Sequence, residues 1–230
     1  MRQSTLLSAL LASTATALAL PSITLRSSSS SLALTQPSSS LAPAPPSGTV
    51  LKYVALGVGT QNYTCATPSS AAVAPASFGA MAQLYNAGSY LERIPEMMES
   101  LPAMALGVYT FSHGEIALAT LLGLPVLGEH HFNSAMQPTF DLFAVNAQLL
   151  GKKTGDIPAP TESCDGPDTE GAVDWLYLTD ASNGDGATFG GVTAVYRIET
   201  AGGKCPTTCE SSAAEFDVPY AAEYWFYGPP

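Results

Sequence analysis

Charged residues are scarce in this 230-residue chain: they make up 12% of it, with eight Lys and Arg against nineteen Asp and Glu. Proteins that bind nucleic acid need a surface with enough cations to neutralise phosphates. A formal net charge of -11 at pH 7 makes such a surface hard to build, so we predict no nucleic-acid partner.

A run of about 20 strongly apolar residues, which a transmembrane helix requires, is also missing. The apolar stretch at residues 6–20 is shorter than this and is diluted by Ser and Thr. Met1 and Arg2 precede it, and the tripeptide ALA at 17–19 ends it, which is the arrangement of a secretory signal peptide. We therefore predict a leader over residues 1–19, export from the cell, and no transmembrane anchor.

Aromatic residues are absent from residues 20–48, where Ser and Pro dominate. Such a composition buries too little apolar area to offset the entropy of ordering, so it predicts a disordered Ser/Pro-rich arm. A short propeptide is the alternative. Organised patterning begins at Thr49, and we expect residues 49–230 to form a single β-rich domain.

Helical periodicity is weak in this domain, while short β-type runs separated by Gly and Pro are frequent. One short or kinked helix is expected at residues 89–100, because Pro95 interrupts the pattern. Residues 151–171 and 180–191 have the composition of surface loops. We predict an all-β fold, a β-sandwich or barrel, with one or two short helices, long Gly/Pro loops, and strands at 50–56, 61–65, 78–85, 125–132, 139–143, 173–179, 192–200 and 222–227.

Only four cysteines are present, at positions 65, 164, 205 and 209. An even number in an exported chain predicts two disulfides, with three possible connectivities. The CxxxC pair at 205 and 209 could instead bind a metal, but no further Cys or His lies at matching spacing.

Several long phrases resemble a family of secreted fungal proteins of unknown function that often carry the label "malate dehydrogenase". They are ALGVGTQNYTC (55–65), GEHHF (128–132), PTFDL (138–142), VDWLYLTD (173–180), VYRIETAGG (195–203) and VPYAAEYWFYG (218–228). In that family the cysteines matching Cys65 and Cys209 recur. The resemblance therefore implies the pairs Cys65–Cys209 and Cys164–Cys205.

The dehydrogenase label does not agree with the residues. A dinucleotide-binding turn needs three glycines between a strand and a helix, followed by an acidic residue about 20 positions later. Here Gly57 and Gly59 lack a third glycine, and no acidic residue occurs between Val50 and Leu91. We expect no nicotinamide cofactor and predict none of any other kind.

A cluster of Glu129, His130, His131 and Asp141 is the candidate for catalysis. If residues 133–138 form a turn, Asp141 would come close to His130 across the hairpin. Imidazole and carboxylate groups suit proton transfer or a divalent metal, and His130, His131 and Glu129 are the candidate metal ligands. The alternative is a structural His–Asp hydrogen bond and a solvated strand edge.

Aromatic residues near the C-terminus could bind a glycan, because exposed rings stack on sugar faces. The candidates are Trp175, Tyr224 and Trp225. Alternation puts Tyr224 and Trp225 on opposite faces of a strand, so core packing is the alternative for at least half of these rings.

The sequon Asn62-Tyr63-Thr64 is a candidate N-glycosylation site at Asn62. Taken together, the sequence predicts an extracellular or cell-wall-associated binding protein for a polysaccharide or small ligand. An extracellular hydrolase or metal-dependent enzyme built on the Glu129 cluster is the alternative.

Overall fold

Every strand of this protein pairs antiparallel with the next one along the chain, and the last strand returns to the first. The computed structural model describes residues 31–37, 43–112, 122–182, 184 and 186–230. Within these residues eight strands close into a barrel in sequence order. They are β1 Val50–Thr64, β2 Ala76–Asn86, β3 Val126–Phe132, β4 Pro138–Leu142, β5 Ala147–Ile157, β6 Trp175–Asp180, β7 Ala194–Gly202 and β8 Glu215–Gly228. The predicted all-β class is confirmed, and the architecture is the barrel rather than the sandwich.

The barrel is closed by its two longest strands. Residues of β1 pair with β8 along almost their whole length, from Val50 opposite Gly228 to Thr64 opposite Glu215. Closure leaves no exposed sheet edge, which removes the row of unpaired backbone groups that promotes aggregation.

From Tyr220 to Gly228 both faces of β8 are buried, and Glu223 is the one charged residue of this stretch. Tyr224 and Phe226 point into the barrel, whereas Trp225 and Tyr227 belong to an outer apolar layer. Leu101, Leu106 and other side chains of two helices cover that outer layer, over β1, β7 and β8. The helices are α1 Gly88–Arg93 and α2 Leu101–Phe111.

The two short helices of the described residues agree with the one or two that were expected, but their bounds differ from the helix expected at residues 89–100. After α1 the chain forms one turn of 3₁₀ helix at Pro95–Met97 and then enters α2. Pro95 interrupts the helix as expected, since proline lacks the amide hydrogen and clashes with the preceding turn. Helix α2 was missed because its sequence, LPAMALGVYTF, is apolar nearly all round and so shows little periodicity.

Two strand assignments also need correction. The strands expected at 50–56 and 61–65 are one continuous strand, β1. The loop expected at 151–171 begins instead with the second half of β5, whose polar residues Lys152 and Lys153 are exposed.

Residues 31–37 and 43–48, the described parts of the arm predicted at 20–48, contact the barrel. Leu32 packs on the outer apolar layer. The Tyr196 hydroxyl donates a hydrogen bond to the carbonyl oxygen of Pro43 over 3.0 Å. Apolar contacts of this kind offset part of the entropy lost on ordering the segment.

The leader predicted at residues 1–19 lies outside the described residues, as do residues 20–30 and 38–42 of the arm. Across the described ranges, no helix has both the length and the apolar character that crossing a bilayer requires.

Candidate ligand-binding cavity

A cavity of about 430 Å³ opens at the end of the barrel where β1 finishes and β8 starts. Its volume lies within the range of about 300–1,000 Å³ typical of small-molecule sites. Much of its wall is apolar, formed by Ala80, Phe132, Phe140, Leu176, Leu178 and Tyr224. Towards the other end the barrel interior is filled by packed side chains, including Leu84, Leu142, Leu149, Val195 and Phe226.

Small inward-facing residues on β1 and β2 make room for the cavity. Ala80 and Ala82 face the interior, while Met81 between them is 64% exposed on the outside. On β1, a Cβ atom added to Gly57 would lie 2.5 Å from a ring carbon of Tyr224. Gly57 is therefore required for the close approach of the Tyr224 ring, which lines the cavity.

Arg197 places a buried positive charge in the cavity wall. This residue of β7 is only 8% exposed, and its Nε and Nη2 atoms donate to the backbone oxygen of Asp174 over 3.2 and 2.8 Å. Among the described residues the ion pairs are His131–Glu129 and Lys153–Asp156, so Arg197 has no carboxylate partner there. A buried charge without a counter-charge is costly, which makes this arginine a candidate functional group.

Other polar groups lie beside the guanidinium. The hydroxyl groups of Tyr220 and Tyr224 are 2.8 Å apart, and both residues are buried. Burial raises the pKa of Tyr224, and the positive charge of Arg197 partly opposes that rise. Gln61 is 6% exposed and lies beside the Tyr220 hydroxyl, and its Nε2 makes no hydrogen bond of good geometry within the described part of the chain. The cavity therefore holds a cation and a buried amide group.

His130 is a neutral side chain of the cavity wall. Its Nδ1 lies 2.9 Å from the carbonyl oxygen of Thr139 and must carry the proton, because that oxygen can only accept. Its ring stacks on Phe140 with centroids 4.3 Å apart. Burial lowers the pKa of His130 to about 4, with smaller contributions from the charges of Arg197 and His131. Near neutral pH, His130 therefore offers a ligand an uncharged ring with an acceptor at Nε2.

The predicted catalytic cluster is divided by the barrel wall. In the register of β3 and β4, Glu129 lies opposite Asp141 and His130 lies opposite Phe140, so the expected His130–Asp141 contact is wrong. His130 points inward, whereas Glu129 and His131 share the outer face, with His131 Nδ1 3.6 Å from Glu129 Oε1. In the described ranges, no group of three or more His, Cys, Asp or Glu side chains is arranged to hold a metal.

One of the two expected disulfides is present. Cys65 and Cys209 are bonded, across a sequence separation of 144 residues. Cys164 and Cys205 are free thiols in this structure, which corrects the second predicted pair. Cys205 lies beside Tyr63, whereas Cys164 lines a different cleft.

The aromatic residues proposed to stack on a glycan are not surface groups. Trp175 is 4% exposed and Trp225 is fully buried in the outer layer, where its Nε1 donates to Glu223 Oε2 over 2.8 Å. Core packing is therefore the correct reading for both tryptophans. Tyr224 is also buried, but it faces the cavity and remains a candidate ligand contact.

Gly57 and Gly59, the two glycines that were compared with a dinucleotide-binding turn, have a packing role. Gly57 and Gly59 lie in the middle of β1, paired on one side with β2 and on the other with β8. A Cβ atom on Gly59 would collide with the backbone oxygen of Met81. No strand-to-helix turn begins there, and such a turn is what positions a pyrophosphate.

Asn62 lies on the same strand. Its Nδ2 donates to Asp217 Oδ1 over 2.9 Å. Glycosylation at this position stays a prediction.

A second cleft, of about 620 Å³, is acidic and lies outside the barrel. It is lined in part by Glu99, Glu162 and Glu199. Burial raises the pKa of Glu199 to about 7, and the neighbouring acids Glu99 and Glu162 add to the shift. Among the described residues that line it there is no cation and no histidine, and their acids are not arranged as a metal site.

Arg197 and Gln61 are the site residues that sequence reasoning missed. A signal was present: Arg197 is the one basic residue in the otherwise largely apolar strand AVYRIETAG. A charge at such a position indicates either a buried ion pair or a ligand site. Gln61 has a weaker signal, since a polar residue in a strand is most often simply exposed.

Comparison with known proteins places the chain in a family. No curated protein and no solved structure matches it. Residues 46–228 match the family described as "Protein of unknown function (DUF3455)", so the match covers the whole barrel. The chain belongs to this family.

Proposed function

We propose that this protein is a secreted binding protein that holds one small, largely apolar ligand inside the barrel. The observation that carries the proposal is the open cavity, with its apolar wall and a few buried polar groups. Concave, mostly apolar sites with a small number of placed polar groups are the usual form of small-molecule sites.

The buried disulfide and the sequence of the leader support the extracellular part of the proposal. Cys65 is 4% exposed and Cys209 is fully buried, so their bond is part of the folded core. Structural disulfides of this kind form in oxidising compartments. Residues 1–19 have the composition of a signal peptide.

A small ligand is favoured over a polysaccharide because of where the aromatic rings lie. Stacking on a polymer requires exposed rings on an open surface, and Trp175 and Trp225 are buried. The enzyme alternative was centred on Glu129, His130, His131 and Asp141, with Asp141 expected close to His130 across the hairpin. Since His130 lies opposite Phe140 and Asp141 lies opposite Glu129, we do not propose it further.

The test is a pair of substitutions at neighbouring positions on β2. Ala80→Phe puts a phenyl group into the cavity, whereas Met81→Phe puts the same group on the outer surface. Binding of a neutral, apolar fluorescent probe such as N-phenyl-1-naphthylamine would be titrated in the wild type and in both variants. Thermal melts followed by circular dichroism would establish that each variant is folded.

We expect the wild type and Met81→Phe to bind the probe alike, and folded Ala80→Phe to bind at least about tenfold more weakly, which corresponds to 1.4 kcal/mol. Equal binding by all three proteins would show that the probe sits elsewhere. An absence of binding by the wild type would contradict the proposal itself.

A further inference from the structure

We propose that the ligand is an apolar carboxylate, with its carboxylate group bound by Arg197 and Gln61 in the wall of the cavity. This inference rests on the proposed function, because it names the class of ligand for the same cavity. The argument begins from the charge that the fold leaves unbalanced.

Arg197 keeps a full charge in a place that is 92% shielded from water. Its interactions are with neutral groups, the backbone oxygen of Asp174 and the hydroxyl of Tyr224. Removing a charge from water is costly unless an opposite charge and good hydrogen bonds compensate. A ligand carboxylate would supply the opposite charge and would accept from the guanidinium donors that Asp174 does not use.

The other charged groups of the cavity leave this role to Arg197. Lys153 at the mouth is already paired with Asp156 over 2.9 Å, and both side chains are about half exposed. Lys204 and Asp174 also line the cavity. Three Lys and Arg residues and two Asp residues line the cavity, so its lining has a formal charge of about +1 in a protein of net charge -11.

The burial of the Gln61 amide is a second observation that favours a ligand with a hydrogen-bond acceptor in this cavity. Gln61 lines the same cavity beside the Tyr220 hydroxyl, and its Nε2 is shielded from solvent and makes no hydrogen bond of good geometry within the described part of the chain. A buried donor without a partner costs free energy that an acceptor on a ligand would recover. Gln61 and Arg197 line the same cavity, and the proposal places one carboxylate oxygen on each of them.

The rest of the wall requires an apolar body on the ligand. Phe132, Phe140 and Leu178 line the cavity, and the Phe140 and Tyr224 rings lie with centroids 5.5 Å apart. Neutral His130 adds an aromatic face and no charge. A bare inorganic anion or a free sugar would leave this apolar wall without a partner.

The experiment compares ligands that differ in charge and hardly in shape. 4-Phenylbutyrate and 4-phenylbutanamide, and decanoate and decanamide, would each displace the neutral fluorescent probe from the full chain at pH 7.5. We expect each carboxylate to bind at least about tenfold more tightly than its amide. In Arg197→Gln this preference should disappear, with the amide affinity changed by less than about twofold.

Lys152→Gln is the matched control, because it removes one positive charge from an exposed position of β5 outside the cavity lining. It should keep the full preference for carboxylate. If Arg197→Gln does not fold, Arg197→Lys replaces it, because lysine keeps the charge but loses the planar fork. Its preference for the carboxylate over the amide should lie between that of the wild type and no preference.

The outcomes separate the two proposals. Equal binding of acid and amide by the wild type, or displacement by neither while the probe binds, would overturn the carboxylate inference and leave the cavity as a binding site. A persistent preference in a folded Arg197→Gln protein would also overturn it. Failure of the probe itself to bind would instead contradict the proposed function.

Discussion

Glu223 should make the folded protein less stable as the pH rises from about 5 to 8. This residue of β8 is fully buried in the outer layer, beneath the helices. Its Oε2 accepts a hydrogen bond from Trp225, and its Oε1 has no partner in the described ranges. Burial raises the pKa of Glu223 from 4.5 to about 8, and the negative charge of Glu199 adds to the shift.

The sign follows from proton counting. Between pH 4.5 and 8 the folded state keeps the proton on Glu223, whereas the unfolded state has lost it, so stability falls with rising pH. Each pKa unit corresponds to about 1.4 kcal/mol, so a shift of this size would remove roughly 5 kcal/mol across the whole window. His130 gives the opposite pH dependence below pH 6.5. Because its pKa is lowered to about 4, the stabilisation of the folded state by neutral His130 is lost as the pH falls from 6.5 to 4.

Urea unfolding at pH 5, 6.5 and 8 measures the effect. The wild type should lose about 2 kcal/mol of unfolding free energy between pH 6.5 and 8, and Glu223→Gln should lose much less because it cannot ionise. Glu215→Gln, an exposed change on the same strand, is the control and should follow the wild type. Parallel pH profiles for the wild type and Glu223→Gln would refute the reasoning.

Two further predictions concern the fold. Replacing Cys65 and Cys209 together by Ser should destabilise the protein by about 5 kcal/mol on the loop-entropy model, since the bond closes a loop of 144 residues. Urea unfolding under oxidising conditions measures the loss of unfolding free energy. A loss below about 1 kcal/mol would contradict the prediction. Gly57→Ala should cost about 1–3 kcal/mol because the new methyl group meets the Tyr224 ring. In Gly107→Ala the methyl group meets nothing within 4 Å, so this change should instead stabilise helix α2 by about 0.5–1 kcal/mol. Thermal melts of the two alanine variants measure both effects, and equal effects would contradict the packing argument.

Much of the barrel could be predicted because its strands obey simple alternation. Tyr224 and Phe226 face inward and Trp225 and Tyr227 face outward, as alternation along β8 requires. The Cys65–Cys209 bond followed from the family resemblance. The second half of β5 could not be recognised in the same way, because its exposed residues give it the composition of a loop.

The predicted contact between His130 and Asp141 was wrong because the register of β3 and β4 could not be derived from the sequence. Asn133 fixes the turn between β3 and β4, since its Oδ1 accepts from the amides of Ala135 and Gln137 over 2.9 and 3.0 Å. The resulting register pairs His130 with Phe140 rather than Asp141. A shift of one residue moves a side chain to the other face of a sheet, and periodicity alone does not determine that shift.

The most direct test of the central claim is to find where a ligand contacts the folded chain. In nuclear magnetic resonance spectra with methyl-labelled protein, the bound neutral probe should show intermolecular Overhauser effects to the inward methyl groups of Ala80 and Leu178. Methyl groups on the outer surface, such as that of Met81, should show none. Effects confined to Met81 and other outward-facing groups would contradict the claim that this barrel is built around a ligand cavity.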